Sequence, residues 1–172
     1  NKLKEIYLQT LEEYNKTPLA VNDGWIRNFS NYTLTQITMI SEVLNKNAKI
    51  LDIGTGAGIV PIFLKKNGFD IFTIDYYETG GNALKNIELF EIPNKNVDLN
   101  KGYFPFEDSY FDLINMGDVI EHLPNSPKKI IQECNRVLKK DGYILISTPN
   151  SVRLINRLKL LLGYSVWPKL ET

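Results

Sequence analysis

The chain is poor in the residues that staple a fold or hold a metal. Of its 172 residues, Cys134 is the only cysteine and His122 the only histidine. A lone thiol excludes an internal disulfide framework and leaves no Cys-rich zinc site, so no metal is expected. Long apolar runs are missing as well. None approaches the ~18–20 residues needed to cross a bilayer, and nothing has the layout of a signal peptide. Net charge is absent, with 20 basic and 20 acidic side chains. That balance argues against a protein that simply coats nucleic acid. Repeats and low-complexity linkers are absent too, so the expectation is one soluble, cytoplasmic domain over residues 1–172.

What is present is an apolar fraction of 43%, enough for a core, and an uneven spread of charge. Residues 1–127 carry 11 basic and 17 acidic groups, whereas residues 128–172 carry 9 and 3. Short β-rich runs alternate with helical patterns, the signature of βαβ units. Leu3, Tyr7, Leu11 and Tyr14 share a helical face that Thr17-Pro18 ends. Ile37, Ile40, Val43 and Leu44 mark a second helix, so residues 1–47 read as an N-terminal helical part. Strand signals follow at Lys49–Ile53, Ile71–Ile74, Asn96–Leu99, Phe111–Met116 and Tyr143–Ile146. Helical patterns separate them, at Ile59–Leu64, at Asn82–Phe90, and behind Ser126-Pro127 with the stripe Ile130, Ile131, Cys134, Val137, Leu138. Asp141-Gly142 reads as the turn into the fifth strand. The prediction is an α/β fold: a doubly wound, Rossmann-like, mostly parallel sheet with helices on both faces.

The first strand runs into Gly54-Thr55-Gly56-Ala57-Gly58. Glycines there let the backbone approach a ligand closely, and the next helix offers free N–H groups at the same place. Asp75 ends the following strand, 21 residues after Gly54, where a carboxylate can accept both hydroxyls of a ribose. The spacing separates two cofactor classes. A dinucleotide fingerprint, G-x-G-x-x-G, wants a small residue at position 59. This chain has Ile59 and reads G-x-G-x-G, with Asp52 two residues ahead of the first glycine.

The run Ile50-Leu51-Asp52-Ile53-Gly54-Thr55-Gly56-Ala57-Gly58 resembles the first motif of class I S-adenosylmethionine-dependent methyltransferases. The resemblance continues in order. Phe104 to Ile114 is similar to the family's L-P-F and F-D-L runs, and Asp118-Val119-Ile120-Glu121-His122-Leu123-Pro124 to its D-V-I-E-H-L-P segment. Arg136 to Gly142 resembles R-V-L-K-P-G-G, and Ser147-Thr148-Pro149-Asn150 the turn after strand five. Together these cover about residues 48–150, the cofactor-binding core.

The resemblance implies roles. Gly54, Thr55, Gly56 and Gly58 would form the turn under the methionine part of the cofactor, with Asp52 on its ammonium. Asp75 would take the ribose hydroxyls, and Tyr76 would either stack beside the adenine or stand as an exposed loop residue. Asp98 and Leu99 match the position that reaches the adenine, and Met116 and Gly117 would offer carbonyls to the ammonium. Arg27 is an upstream candidate for the cofactor carboxylate, and Asp118 for a cap on the next segment.

Methyl transfer from a sulfonium is an in-line displacement, and a hydroxyl acceptor must also lose a proton. The motif places His122 on the acceptor side, either as general base or as a structural residue closing a turn; Glu121 is a second candidate. The acceptor expected is a small molecule or glycan, as in polysaccharide modification, because S-T-P-N followed by a basic, leucine-rich helix resembles that type. DNA is not expected, since the Asn/Asp-Pro-Pro-aromatic motif of base methylation is missing. A nucleotide or nucleic-acid methyltransferase and a non-catalytic partner domain are the alternatives.

Residues 151–163 read as a basic amphipathic helix, which packs on the domain or meets a membrane surface or a protein. Only five strand signals occur, whereas the resembled fold has seven. The expectation is therefore a cofactor-binding core lacking strands six and seven, with a truncated tail at 151–172.

Overall fold

A strand rich in Ile, Leu and Phe is stable only when a neighbour meets its backbone polar groups and helices cover its faces. The computed structural model shows how this chain meets both needs. It describes residues 2–17, 24–76, 82–150 and 152–164; the side chains of residues 24–31, 82 and 83 also lie outside the described set.

The helices are α1 (Lys2–Asn15), α2 (Gly24–Val43), α3 (Ile59–Lys66), α4 (Asn82–Leu89), α5 (Lys128–Val137) and α6 (Leu154–Leu161). The strands are β1 (Lys49–Ile53), β2 (Asp70–Asp75), β3 (Asn94–Asn96), β4 (Phe111–Gly117) and β5 (Leu138–Ser147). They form one sheet in the order β3-β2-β1-β4-β5, and every pair is parallel. The doubly wound α/β expectation is borne out. The order reverses between β1 and β4, which opens a crevice at their carboxyl ends.

Alternation along the strands feeds two cores. Ile50, Ile71 and Leu113 point to one face and pack with Tyr7 and Tyr14 of α1, Ile37 and Ile40 of α2, and Phe63 of α3. Leu51, Ile53, Ile74, Ile114 and Met116 point to the other, against Ile130, Cys134 and Val137 of α5. Asp52 and Asn115 continue the first series, so they face the α2 side.

Three boundaries differ from the sequence reading. Strand β3 is Asn94–Asn96 rather than Asn96–Leu99, because its polar residues pair with Thr73–Asp75 through the backbone ladder, helped by the Thr73 hydroxyl donating to Asn94 Oδ1 at 2.8 Å. Leu99–Lys101 is a short 3-10 helix, capped by the Asp98 carboxylate accepting from Asn100 N at 3.0 Å. Leu138 begins β5 instead of ending α5. Asp141-Gly142 is an irregularity within that strand, where the register shifts between Phe111 and Leu113 and Asp141 takes φ 64°.

Helix α6 does not lay its apolar stripe on the domain. Asn156 is its buried residue, its amide donating to Asn150 O at 3.3 Å, while Leu154, Ile155, Leu158, Leu161 and Leu162 are exposed. No described helix is long and apolar enough to cross a membrane.

Candidate functional site

The glycine turn closes on itself through Gly58 N donating to Thr55 O at 2.9 Å and hangs from β2 through Gly54 N donating to Ile74 O, also 2.9 Å. Gly54 adopts φ +71°, and a Cβ there would lie 2.2 Å from Val119 Cγ2. The turn thus packs directly on the loop after β4, and only glycine fits. Asp75 locks it from outside: Oδ2 accepts from Gly56 N at 3.1 Å and Oδ1 from Tyr76 N at 2.7 Å.

Above the turn is a cavity of about 190 Å³. Its floor comes from Asp52, Gly54, Thr55, Gly56 and Gly58, and its wall from α1 and α2 through Tyr7, Tyr32, Thr33 and Gln36. Asn115, Gly117 and Asp118 complete it on the β4 side. Strand register sets Asp52 directly opposite Asn115. The Asn115 amide donates to Asp52 Oδ1 at 2.6 Å and accepts from Gln36 Nε2 at 2.9 Å. Burial pushes the Asp52 carboxyl up to about 7, against the opposing hydrogen bond from Asn115. No lysine or arginine pairs with it among the described residues. The Thr55 hydroxyl lies near enough to favour its ionised form, yet makes no well-formed hydrogen bond.

The other end of the cavity is a polar cluster. Tyr32 Oη donates to Asp118 Oδ1 at 3.0 Å and shares a short hydrogen bond with Ser147 Oγ. Burial pushes the Tyr32 phenol up to about 12, so it stays neutral. Burial also raises the Asp118 carboxyl, with Glu121 adding to the effect while Tyr32 and His122 oppose it. Asp118 stands at φ 54°, and its carboxylate bonds Tyr32 rather than capping the next turn.

The sequence candidates divide cleanly. Asp52, Gly54, Thr55, Gly56, Gly58 and Gly117 line the cavity. Asp75, Tyr76, Asp98, Leu99 and Met116 do not; Tyr76 is exposed, and the Met116 side chain is sealed in the α5 core. Glu121 and His122 sit in the 3-10 helix Ile120–His122, outside the cavity. His122 is exposed, whereas both Glu121 carboxylate oxygens are buried without a hydrogen-bond partner. The Arg27 side chain lies outside the described residues. Sequence reasoning missed Tyr7, Tyr32, Thr33, Gln36 and Asn115. The available signal was polar Thr33 and Gln36 on the same helical face as Ile37 and Ile40.

These residues suit one ligand chemistry. A buried carboxylate without a cation is costly, and an ammonium entering the cavity would supply the missing counter-charge. A family described as "Methyltransferase domain" matches residues 26–168. The ubiquinone biosynthesis O-methyltransferase of Glaesserella parasuis is 34% identical over 110 residues, 59% of this chain and 45% of that protein. That of Acinetobacter baylyi is 28% identical over 111 residues, 59% of this chain and 44% of that protein. The chain spans about half the length of the curated relatives it matches. A solved protein of Pyrococcus horikoshii superposes at TM-score 0.63 and 25% identity, covering 88% of this chain and 69% of that one. A SAM-dependent methyltransferase of Thermotoga maritima superposes at TM-score 0.61 and 18% identity, over 91% and 67%, and shows the fold.

Proposed function

Because the chain belongs to the methyltransferase domain family, class I in fold with S-adenosylmethionine as cofactor, we propose that it methylates a hydroxyl oxygen of a small-molecule acceptor. The carrying observation is the buried Asp52, which lines the cavity above the glycine turn with no basic partner among the described residues. When bound, the cofactor supplies a methyl group on a good leaving group. The chain's own work is binding, alignment and proton removal.

Asp52 would hold the ammonium, Gly54 to Gly58 the methionine part, and the carbonyls of Met116 and Gly117 would add acceptors. Asp75 would take the ribose hydroxyls, with Tyr76 and the Asp98-Leu99 turn toward the adenine. The hydroxyl acceptor draws support from the O-methyltransferase relatives. A glycan acceptor, and a membrane or protein contact through residues 151–163, are finer parts of the same proposal; the exposed leucines of α6 support the contact.

Glu121 and His122 remain our candidates for the acceptor's proton. What supports the reading is that both lie close enough to Asp118, which lines the cavity, to shift its carboxyl. Titration with S-adenosylhomocysteine tests the cofactor half: binding is expected, and Asp75→Ala should weaken it strongly. No binding at millimolar concentration favours a scaffold. Transfer of labelled methyl from S-adenosylmethionine to 3,4-dihydroxybenzoate and to soluble oligosaccharides tests the acceptor half. With the accepted probe, His122→Ala turnover within about twofold of the parent removes His122 as base.

A further inference from the structure

The amides that reach Asp52 have no place in the motif reading, and their geometry is specific. We propose that Gln36 and Asn115 are positioning residues for the amino-acid end of the cofactor, a hydrogen-bonded chain from α2 that sets the Asp52 carboxylate. This rests on the reading that S-adenosylmethionine occupies the cavity.

An ionised carboxylate only accepts hydrogen bonds, so Asn115 must turn its NH2 toward Asp52 Oδ1, at 2.6 Å. Its carbonyl oxygen then faces α2 and takes the Gln36 Nε2–H at 2.9 Å. Each amide has one orientation that satisfies its neighbours. All three side chains are nearly sealed, Gln36, Asp52 and Asn115 being 5%, 4% and 2% exposed. The partners they meet within the protein therefore set their orientation. Register partnership between β1 and β4 fixes one joint of the chain. The other depends on Gly117, where a Cβ would lie 2.5 Å from Gln36 Nε2.

Neutral amides are the chemistry this task needs. A lysine or arginine at either position would neutralise Asp52 and remove its use for a ligand cation. An apolar side chain at 115 would leave the carboxylate without its amide donor and drive it to protonate. One at 36 would leave the Asn115 carbonyl unpaired and its amide free to turn. Amides orient the charge and leave it available. Gln36 lies one helical turn after Tyr32, which bonds Asp118 and Ser147, so one face of α2 serves both ends of the cavity.

Two ligands separate a positioning role from a merely structural one. S-adenosylhomocysteine carries the amino-acid end, and 5′-methylthioadenosine keeps the adenosine and thioether without it. Calorimetry on the parent, Gln36→Met and Asn115→Leu should show S-adenosylhomocysteine affinity falling about tenfold or more in each variant, as expected for a lost hydrogen bond at a charged group. Affinity for 5′-methylthioadenosine should stay within about twofold, because it does not use Asp52. Should the apolar variants melt early, Gln36→Asn keeps a neutral amide, withdraws the donor by one carbon from Asn115 and should show the same selective loss. Equal losses for both ligands, or no loss for either, overturn the proposal. So does a parent that binds the two ligands equally. A parent that binds neither ligand instead fells the cofactor reading, and this proposal with it.

Discussion

Strands β4 and β5 lie side by side, run parallel and look alike in sequence, yet one is sealed and the other half open. On β4, Leu113, Ile114 and Met116 are at most 1% exposed. On β5, Ile144 and Ile146 are 41% and 39% exposed. The difference comes from position. β4 sits between β1 and β5, with helices over both faces, while β5 has a strand on one side only among the described residues. The chemistry follows the sealing. Asp52, Asn115, Gly117 and Asp118 cluster at the ends of β1 and β4, whereas β5 contributes the single hydroxyl of Ser147.

The largest effect should come from opening the sealed region. Leu51 is fully buried beneath the glycine turn. Leu51→Ala should cost about 2–5 kcal/mol in denaturant unfolding, the range for a buried leucine whose cavity cannot collapse. Gly54→Ala attacks the site itself. Its backbone would strain at φ +71° and its Cβ would meet Val119 at 2.2 Å. S-adenosylhomocysteine affinity should fall by about 100-fold, from strain plus a displaced loop. The double variant with Val119→Ala should recover part of that loss, since it removes the clash and leaves the strain.

An intermediate effect is expected from acid titration at Asp52. Its carboxyl, ordinarily near ~3.9 unfolded, is raised to about 7 by burial in the fold. Between those values the folded protein holds a proton that the unfolded chain has released. Stability is therefore present at pH 4, declines as pH rises toward 7, and stays reduced above it. Asp52→Asn lacks this slope. The variant should match the parent near pH 4 and exceed it by roughly 1–3 kcal/mol at pH 8, in ligand-free chemical denaturation. Ligand binding carries the opposite demand, because an ammonium needs the ionised form. Parent affinity for S-adenosylhomocysteine should weaken as pH falls below 7. Asp118, whose carboxyl burial also raises, lies at this end of the sheet, so the Asp52→Asn curve is the control for its contribution.

Much of this was legible in the sequence, and the sealed centre most of all. β1, β2, β4, α3 and α5 carry apolar periodicities that tertiary packing also requires, so pattern and structure agree. The glycine turn, Asp52 and Asp75 were legible because a close backbone approach and a fixed charge need those residue types. Strand β3 was not, since Asn94-Lys95-Asn96 has no apolar signal and is held by its backbone ladder and the Thr73 hydroxyl. The start of β5 read as the end of a helix because its irregularity at Asp141 looks like a turn. The α2 wall was the larger loss. Gln36 and Tyr32 gain meaning only when the chain returns to place Asn115, Asp118 and Ser147 beside them, 79 to 115 residues later.

The smallest effect tests the comparison from its open side. Ile144 pairs with Ile114 in the sheet, but 41% of it stays in contact with solvent. A side chain so exposed contributes little transfer energy, and its truncation leaves no closed cavity. Ile144→Ala should therefore cost at most about 1 kcal/mol, several-fold less than Leu51→Ala on the same instrument. Cofactor affinity should not move, because Ile144 does not line the cavity. A cost approaching that of Leu51→Ala would mean that another surface covers β5 in solution. The contrast between the strands would then describe this chain by itself and not its working assembly.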